Sequence, residues 1–442
     1  MANNKDKKEV IKDLDKVEPI DYGVVAKPHT PIYKMHRYFA RRPYTVFREL
    51  IKHYSNPGSI ILDPMCGGGV TIVEGLRLRR KVIGVDLNPM AIFITRCEVM
   101  DVDLDKLKKA FYEISEKVKD EINSFYHTIC PKCKKETPAD WFEWSNVVEC
   151  PYCKKEVILA EAKKIKAGTY QCLHCKSPLK ALNCKRKQDK IVRLKIRCAC
   201  GFKGEKKPDE YDFEKYKWIE DNFDRIVKQR NLWYPKDKVE DLLAGWKPEK
   251  NRLVKRGINY FSDLFTKRNL LALSILKKDI NFYWKNDNFI GDLLYILFAS
   301  VIDYSTKISR VVQGAGREIT VHAYWPPEMP CENNVFLSLT KRWAALLKGK
   351  IECKKDIGIY FREASSFKEI NKDDMNCLLL SKSATNLKEI PNSSIDVIIT
   401  DPPYGSNVNY LHLSMLWLIW LRDILKLKFE IDSITNDEAI VN

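Results

Sequence analysis

Gly58-Ser-Ile-Ile-Leu-Asp-Pro-Met-Cys-Gly-Gly-Gly69, followed by Lys81-Val-Ile-Gly-Val-Asp86, decides the fold. Residues 58–63 read as a short buried strand that breaks into three glycines, after which 70–78 take on helical character. Residues 81–86 read as a second buried strand, closed by an acid 23 residues after Asp63. Strand, Gly-rich turn, helix and strand open a parallel α/β sheet. Glycines in such a turn let the backbone approach a nucleotide closely. The following helix N-terminus faces that ligand, and an acid at the second strand end accepts ribose hydroxyls. The Gly-x-Gly-x-x-Gly spacing of nicotinamide sites is missing.

Around this block lie 442 residues, 31% charged and 45% hydrophobic, with a net charge of +17. At roughly 100–200 residues per domain the length implies two to four domains with a real core, which excludes a wholly disordered chain. The first residues carry no apolar secretory stretch. The longest apolar runs, 293–301 and 411–421, fall short of the roughly 20 residues that span a membrane. A soluble, cytoplasmic protein without a membrane partner is expected.

The α/β pattern returns late. Apolar strand runs at 376–380 and 395–400 lead into Asp401-Pro-Pro-Tyr404, and a helix follows over 411–424. An exocyclic base amine is a poor nucleophile, so its methylation needs positioning more than a strong base. Asp401 and the Pro402 carbonyl can both accept hydrogen bonds from one NH2 group, Pro403 further restricts the backbone, and Tyr404 can stack on a flipped base.

Residues 61–89 resemble the cofactor motif of S-adenosylmethionine-dependent DNA amino-methyltransferases, with Met65 in place of the usual Phe. That resemblance implies a Rossmann-like methyltransferase sheet. It puts Asp63, Pro64, Cys66, Gly67 and Gly69 around the methionine moiety, Asp86 on the ribose, and Asn88 beside it. Asp401-Pro-Pro-Tyr404 resembles the catalytic motif of enzymes acting on adenine N6 or cytosine N4. Tyr38-Phe-Ala-Arg-Arg-Pro43 and Asn407-Val-Asn-Tyr-Leu-His-Leu-Ser414 resemble segments of adenine-specific DNA methylases that contain a zinc ribbon, which adds Arg41 and Arg42 to the cofactor site. Ser383 stands where relatives carry an Asp, and a serine can still meet the adenine amine. The implied reaction is methylation of a flipped base in double-stranded DNA, with adenine N6 preferred. Cytosine N4 stays open, and so does RNA guanine N2, since Gly405 follows the tetrapeptide.

Eight of the fourteen cysteines fall in four close pairs. Cys130/Cys133 with Cys150/Cys153 have a zinc-ribbon spacing, and Cys172/Cys175 with Cys198/Cys200 form a second candidate, with Cys184 and His174 as spare ligands. Segments so poor in apolar area are expected to be held together by zinc. Residues 151–200 hold fourteen Lys/Arg against three Asp/Glu. Lys185, Arg186, Lys187, Arg193, Lys195 and Arg197 are therefore expected to grip phosphate.

The expected organisation is an arm (1–32), a cofactor half (33–128), zinc ribbons (129–204), a mostly helical insert serving target recognition (205–370) and a catalytic half (371–442). A methyltransferase sheet has seven strands, and only 38 residues follow Tyr404. The sheet therefore reads as incomplete at its C-terminus. That opens a second class: a non-catalytic, DNA- and cofactor-binding half of a split enzyme, completed by a second polypeptide.

Overall fold

The computed structural model describes residues 18–312, 316–318, 323–370, 372, 374–403 and 408–427. Tyr404, Gly405 and Asn407 lie outside the described residues.

Helix α1 (Tyr44–Tyr54) starts after Pro43 and buries Phe47 and Ile51. Strand β1 (Ile60–Asp63) leads through the glycines into α2 (Val70–Arg77), then β2 (Lys81–Asp86), α3 (Pro89–Val99) and α4 (Leu104–Ser124). Gly69 caps α2 at φ 75°, and a Cβ there would lie 2.5 Å from Thr95 Oγ1. Only glycine meets both demands. Asn88 caps α3 by accepting from Met90 N at 3.0 Å, the usual work of an Asn at that position.

The cysteine-rich stretch is mostly β: β3 (Glu136–Ser145), β4 (Val147–Glu149), β5 (Glu156–Ile158), β6 (Thr169–Gln171), β7 (Pro178–Lys180), β8 (Lys190–Arg197) and β9 (Lys203–Lys206). Helices α5 (Glu210–Gln229), α6 (Lys247–Lys255), α7 (Lys267–Asn286) and α8 (Asn288–Ile302) make up the insert. After them come β10 (Cys331–Asn333), α9 (Val335–Asp356), β11 (Cys377–Ser381), β12 (Val397–Ile398) and α10 (Tyr410–Leu421).

The two ends of the chain build one sheet, all parallel, in the order β11-β2-β1-β12. Strand β12 is shorter than its apolar run, and Ile399 N adds one further bond to the Leu62 carbonyl at 3.0 Å before the two prolines. Among the described residues β12 pairs only with β1, and Ile398 on it is 62% exposed. No described helix is long and apolar enough to cross a membrane.

The insert and both halves share one core. Helix α10 is buried on every face, from Leu411 to Leu421, as befits a helix apolar all round. Its indoles of Trp417 and Trp420 pack against Phe39 and Phe298 respectively. The ribbons differ from expectation. The outer sheet, β9-β8-β3-β10, is joined to the rest by β10, and Phe142, Trp144, Ile191 and Leu194 belong to the main core. Beneath it Arg268 is buried against Glu332 at 2.8 Å. The long strands of that ribbon carry an apolar face of their own, beside whatever its cysteines hold. The inner ribbon has only a small separate core around Val148, Val157, Tyr170 and Leu179.

Candidate active site

An open cleft with about 1310 Å³ of empty space lies at the C-terminal end of the parallel sheet, where open α/β sheets bind ligands. Its walls include Arg41, Arg42, Asp63, Pro64, Cys66, Gly67, Asp86, Asn88, Ser383, Asp401 and Pro403. Gly69 and Pro402 are not in the lining. Gly69 instead sets the turn by which its neighbours reach it.

The strand ends hold these groups for identifiable reasons. Asp63 Oδ2 accepts from Thr71 Oγ1 at 2.6 Å and Oδ1 from Met65 N at 3.2 Å, so this acid ties the turn to α2. Asp86 Oδ2 accepts from Gly67 N and Oδ1 from Asn88 N, both at 2.8 Å. Each carboxylate oxygen has a second lone pair, so Asp86 keeps acceptor capacity for a ligand hydroxyl. A Cβ on Gly68 would lie 2.6 Å from Arg41 Nε, so the turn has no room for a side chain there and its backbone stays bare. The residues present therefore fit a nucleoside cofactor. Asn88 Nδ2 also donates to Ser414 Oγ at 2.8 Å and couples this turn to α10.

The two arginines part company. Arg41 has its side chain nearly covered and donates to the Tyr33 carbonyl and to Glu98 Oε1, the latter at 2.8 Å. Arg42 Nε donates to Asp401 Oδ2, joining the segment before β1 to the end of β12. Both line the cleft, yet each is bonded to protein. Sequence reasoning missed Tyr38 and Tyr410, whose rings stack at 6.0 Å and 17° on the cleft wall. Each belongs to a segment quoted above for its arginines or asparagines, and the signal was an aromatic in both.

Burial pushes the carboxyls of Asp63 and Asp86 up to about 6, against the hydrogen bonds they accept. Because these pKa values exceed those of an unfolded chain, their contribution to stability is full below about pH 4 and lost as pH rises through about 6. A ligand hydroxyl donating to Asp86 would run the other way, since it would favour the ionised carboxylate. Cofactor affinity is expected to fall as pH drops from 7 to 5. Asp86→Ala is expected to weaken binding by roughly 10–100-fold at pH 7, the loss of a hydrogen bond to a charged group. Titration calorimetry with S-adenosylmethionine checks both.

All eight predicted metal ligands meet in two clusters, but the pairing is nested rather than sequential. Cys130, Cys133, Cys198 and Cys200 form one cluster, and Cys150, Cys153, Cys172 and Cys175 the other. The antiparallel pairing of β3 with β8 carries the outermost knuckles to each other and leaves the inner two to close. Cross-pair Sγ atoms lie 3.6–3.7 Å apart. The edge of a tetrahedron with metal–sulfur bonds of about 2.3 Å is about 3.8 Å, so either cluster could hold zinc. Each knuckle turns through one residue at positive φ: Lys134, Lys154, Lys176 and Gly201. The spare candidates stand aside: Cys184 Sγ contacts the Lys180 carbonyl and His174 Nε2 that of Glu156.

The basic residues are largely spoken for. Arg186 pairs with Asp189 at 2.8 Å, Lys187 with Glu149 at 2.9 Å and Arg197 with Asp140 at 2.7 Å. Arg193 bridges Glu143 and Glu205, both at 2.8 Å. Lys185 and Lys195 form no ion pair among the described residues. Four of the six basic side chains are thus paired with acids, most of them on other strands.

Residues 3–96 match the family described as DNA methylase, of the N6/N4 type. The type II methyltransferase M.MjaII of Methanocaldococcus jannaschii is 28% identical over 89 residues, which are 20% of this chain and 17% of that protein. The chain thus spans about a sixth of the length of the curated relative it matches. No solved structure matches it. The segment that matches builds α1, β1, α2, β2 and most of α3, the glycine-rich wall of the cleft. It is to the DNA amino-methyltransferases that this chain is similar.

Proposed function

We propose that the chain methylates an exocyclic amine of a flipped DNA base, adenine N6 in preference to cytosine N4. S-adenosylmethionine, when bound, would supply the electrophilic methyl group. The observation that carries the reading is that Asp401, 338 positions after Asp63, lines the same cleft as Asp63, Gly67 and Asp86. Asp86 would hold the ribose, and the backbone of 66–68 would lie against the methionine end. Asp401 and the Pro402 carbonyl would accept the two N–H groups of the amine and aim its lone pair at the methyl carbon, a positioning role that needs no covalent enzyme intermediate. The proton lost from nitrogen passes to water.

One observation favours a second reading. Strand β12 is short, pairs on one side among the described residues and presents an exposed Ile398, which is the kind of edge that takes up another strand. In that reading further strands, on a second polypeptide, complete the sheet and the activity.

Incubation with labelled S-adenosylmethionine and mixed-sequence duplex DNA, followed by nucleoside mass spectrometry, tests both. N6-methyladenine is expected. N4-methylcytosine changes the base, and methylation of RNA guanine alone overturns the DNA reading. Cofactor binding without any methylated product favours the second reading.

A further inference from the structure

Helix α6 carries Arg252 and, one turn on, its cap Arg256. Both guanidiniums lie over the indole of Trp325, 4.7 and 5.1 Å from its centroid, and Arg252 Nη1 also pairs with the buried Glu249 at 2.7 Å, which leaves its other N–H donors for a ligand. Trp325 is itself 43% exposed. Arg256 Nη1 donates to the Pro326 carbonyl, and its Nε is buried with no acceptor among the described residues. Beside this stack runs a cleft lined by Arg186, Lys187, Arg256 and Lys307. Arg186 closes it by donating to the Arg256 carbonyl at 3.3 Å.

The two acids of this cleft, Asp189 and Asp263, are each already hydrogen-bonded within the protein. Asp189 is held by Arg186, and Asp263 Oδ2 accepts from Asn259 N and Tyr260 N, both at 2.9 Å. The ammonium of Lys307 has no hydrogen-bond partner among the described residues, and burial lowers its pKa. A nearby anion would reverse that cost.

The position of the stack matters as much as its charge. Tyr324, the neighbour of Trp325, is buried, donates to the His412 carbonyl at 2.6 Å and accepts from Leu416 N at 3.1 Å. Its hydroxyl thus pins the stack to the first turns of α10, whose opening residue Tyr410 lines the candidate active site.

We propose that Arg252, Trp325 and Arg256, with Lys307 in the adjoining cleft, form a contact surface for the sugar–phosphate backbone of DNA beside the catalytic end. The inference rests on the DNA reading above and says which face of the insert the duplex meets. Planar guanidiniums held on an aromatic plate are pre-organised for phosphate oxygens. Such contacts position the duplex without reading its sequence.

The test is fluorescence anisotropy of a labelled mixed-sequence duplex across a salt series, with the full chain and two variants, Arg252→Gln and Lys307→Gln. Arg256 is spared because its hydrogen bond to Pro326 supports the loop. Removing one cation that neutralises a phosphate should reduce the slope of log K against log salt by about 1. Each variant is expected to bind several-fold more weakly while its affinity for S-adenosylmethionine stays unchanged, which shows that it is folded. Variants that keep the wild-type slope overturn the surface and leave the DNA reading standing. A wild-type chain that binds no duplex overturns both. If inorganic phosphate at matched ionic strength binds at Lys307 and leaves the bound duplex in place, the cleft is a small-anion site and the proposal falls. Binding is read without methylation, so an inactive chain still answers.

Discussion

Asp401→Ala is expected to lower methyl transfer to DNA on the order of 10²–10³-fold, the usual cost of one group that acts on a developing charge. Cofactor affinity should stay near its wild-type value, because the glycine turn and Asp86 are untouched. The carboxylate stands at the end of β12, where two prolines hold the chain out of the sheet, and Arg42 keeps it at the cleft wall. Asp401→Asn retains one acceptor oxygen and loses the partner of Arg42, so it should fall between the wild type and the alanine variant. Single-turnover rates with labelled S-adenosylmethionine and saturating duplex give the answer. An alanine variant with the wild-type rate would place the chemistry on other residues.

The second large effect concerns the inner cysteine cluster. Its ribbon has a core of a few residues around Val157 and Tyr170, too little apolar surface for a folded unit of that size. Structural zinc in such modules is worth about 10–16 kcal/mol. Cys172→Ser, or a strong chelator, is therefore expected to unfold the segment near 147–186 and expose it to limited proteolysis. Cys198→Ser should be milder, because β3 and β8 remain packed in the main core with β10 beside them. Equal sensitivity of the two clusters would show that the outer ribbon also depends on its metal.

Much of the cleft was legible because its chemistry lies in short motifs that carry their own backbone instructions. Three glycines after an apolar run, an acid ending the next strand and two prolines after a third each dictate a local shape. Those shapes meet because parallel strands stop at a common edge. Long-range pairing was not legible in the same way. The spacing of Cys133 to Cys150 suits a ribbon, yet nothing local states that β3 pairs with β8 and not with its neighbour. The ion pairs of the charge run were not legible for a related reason: Glu143 and Glu205, which pair with Arg193, sit in other strands. Tyr38 and Tyr410 became partners only because the first and last parts of the chain fold against each other.

The nested thiol clusters carry a consequence for synthesis. Cys130 and Cys133 emerge first from the ribosome, and their true partners follow some 65–70 positions later. At about 5–20 residues per second they wait roughly 3–14 seconds. During that wait Cys150 and Cys153 come within reach, and the loop they would close is shorter and entropically cheaper. Sequence-neighbour pairing is thus a kinetic trap that opens before the native arrangement is available. Capture of Cys150 and Cys153 by Cys172 and Cys175 would close it, and the outer ribbon would then form last.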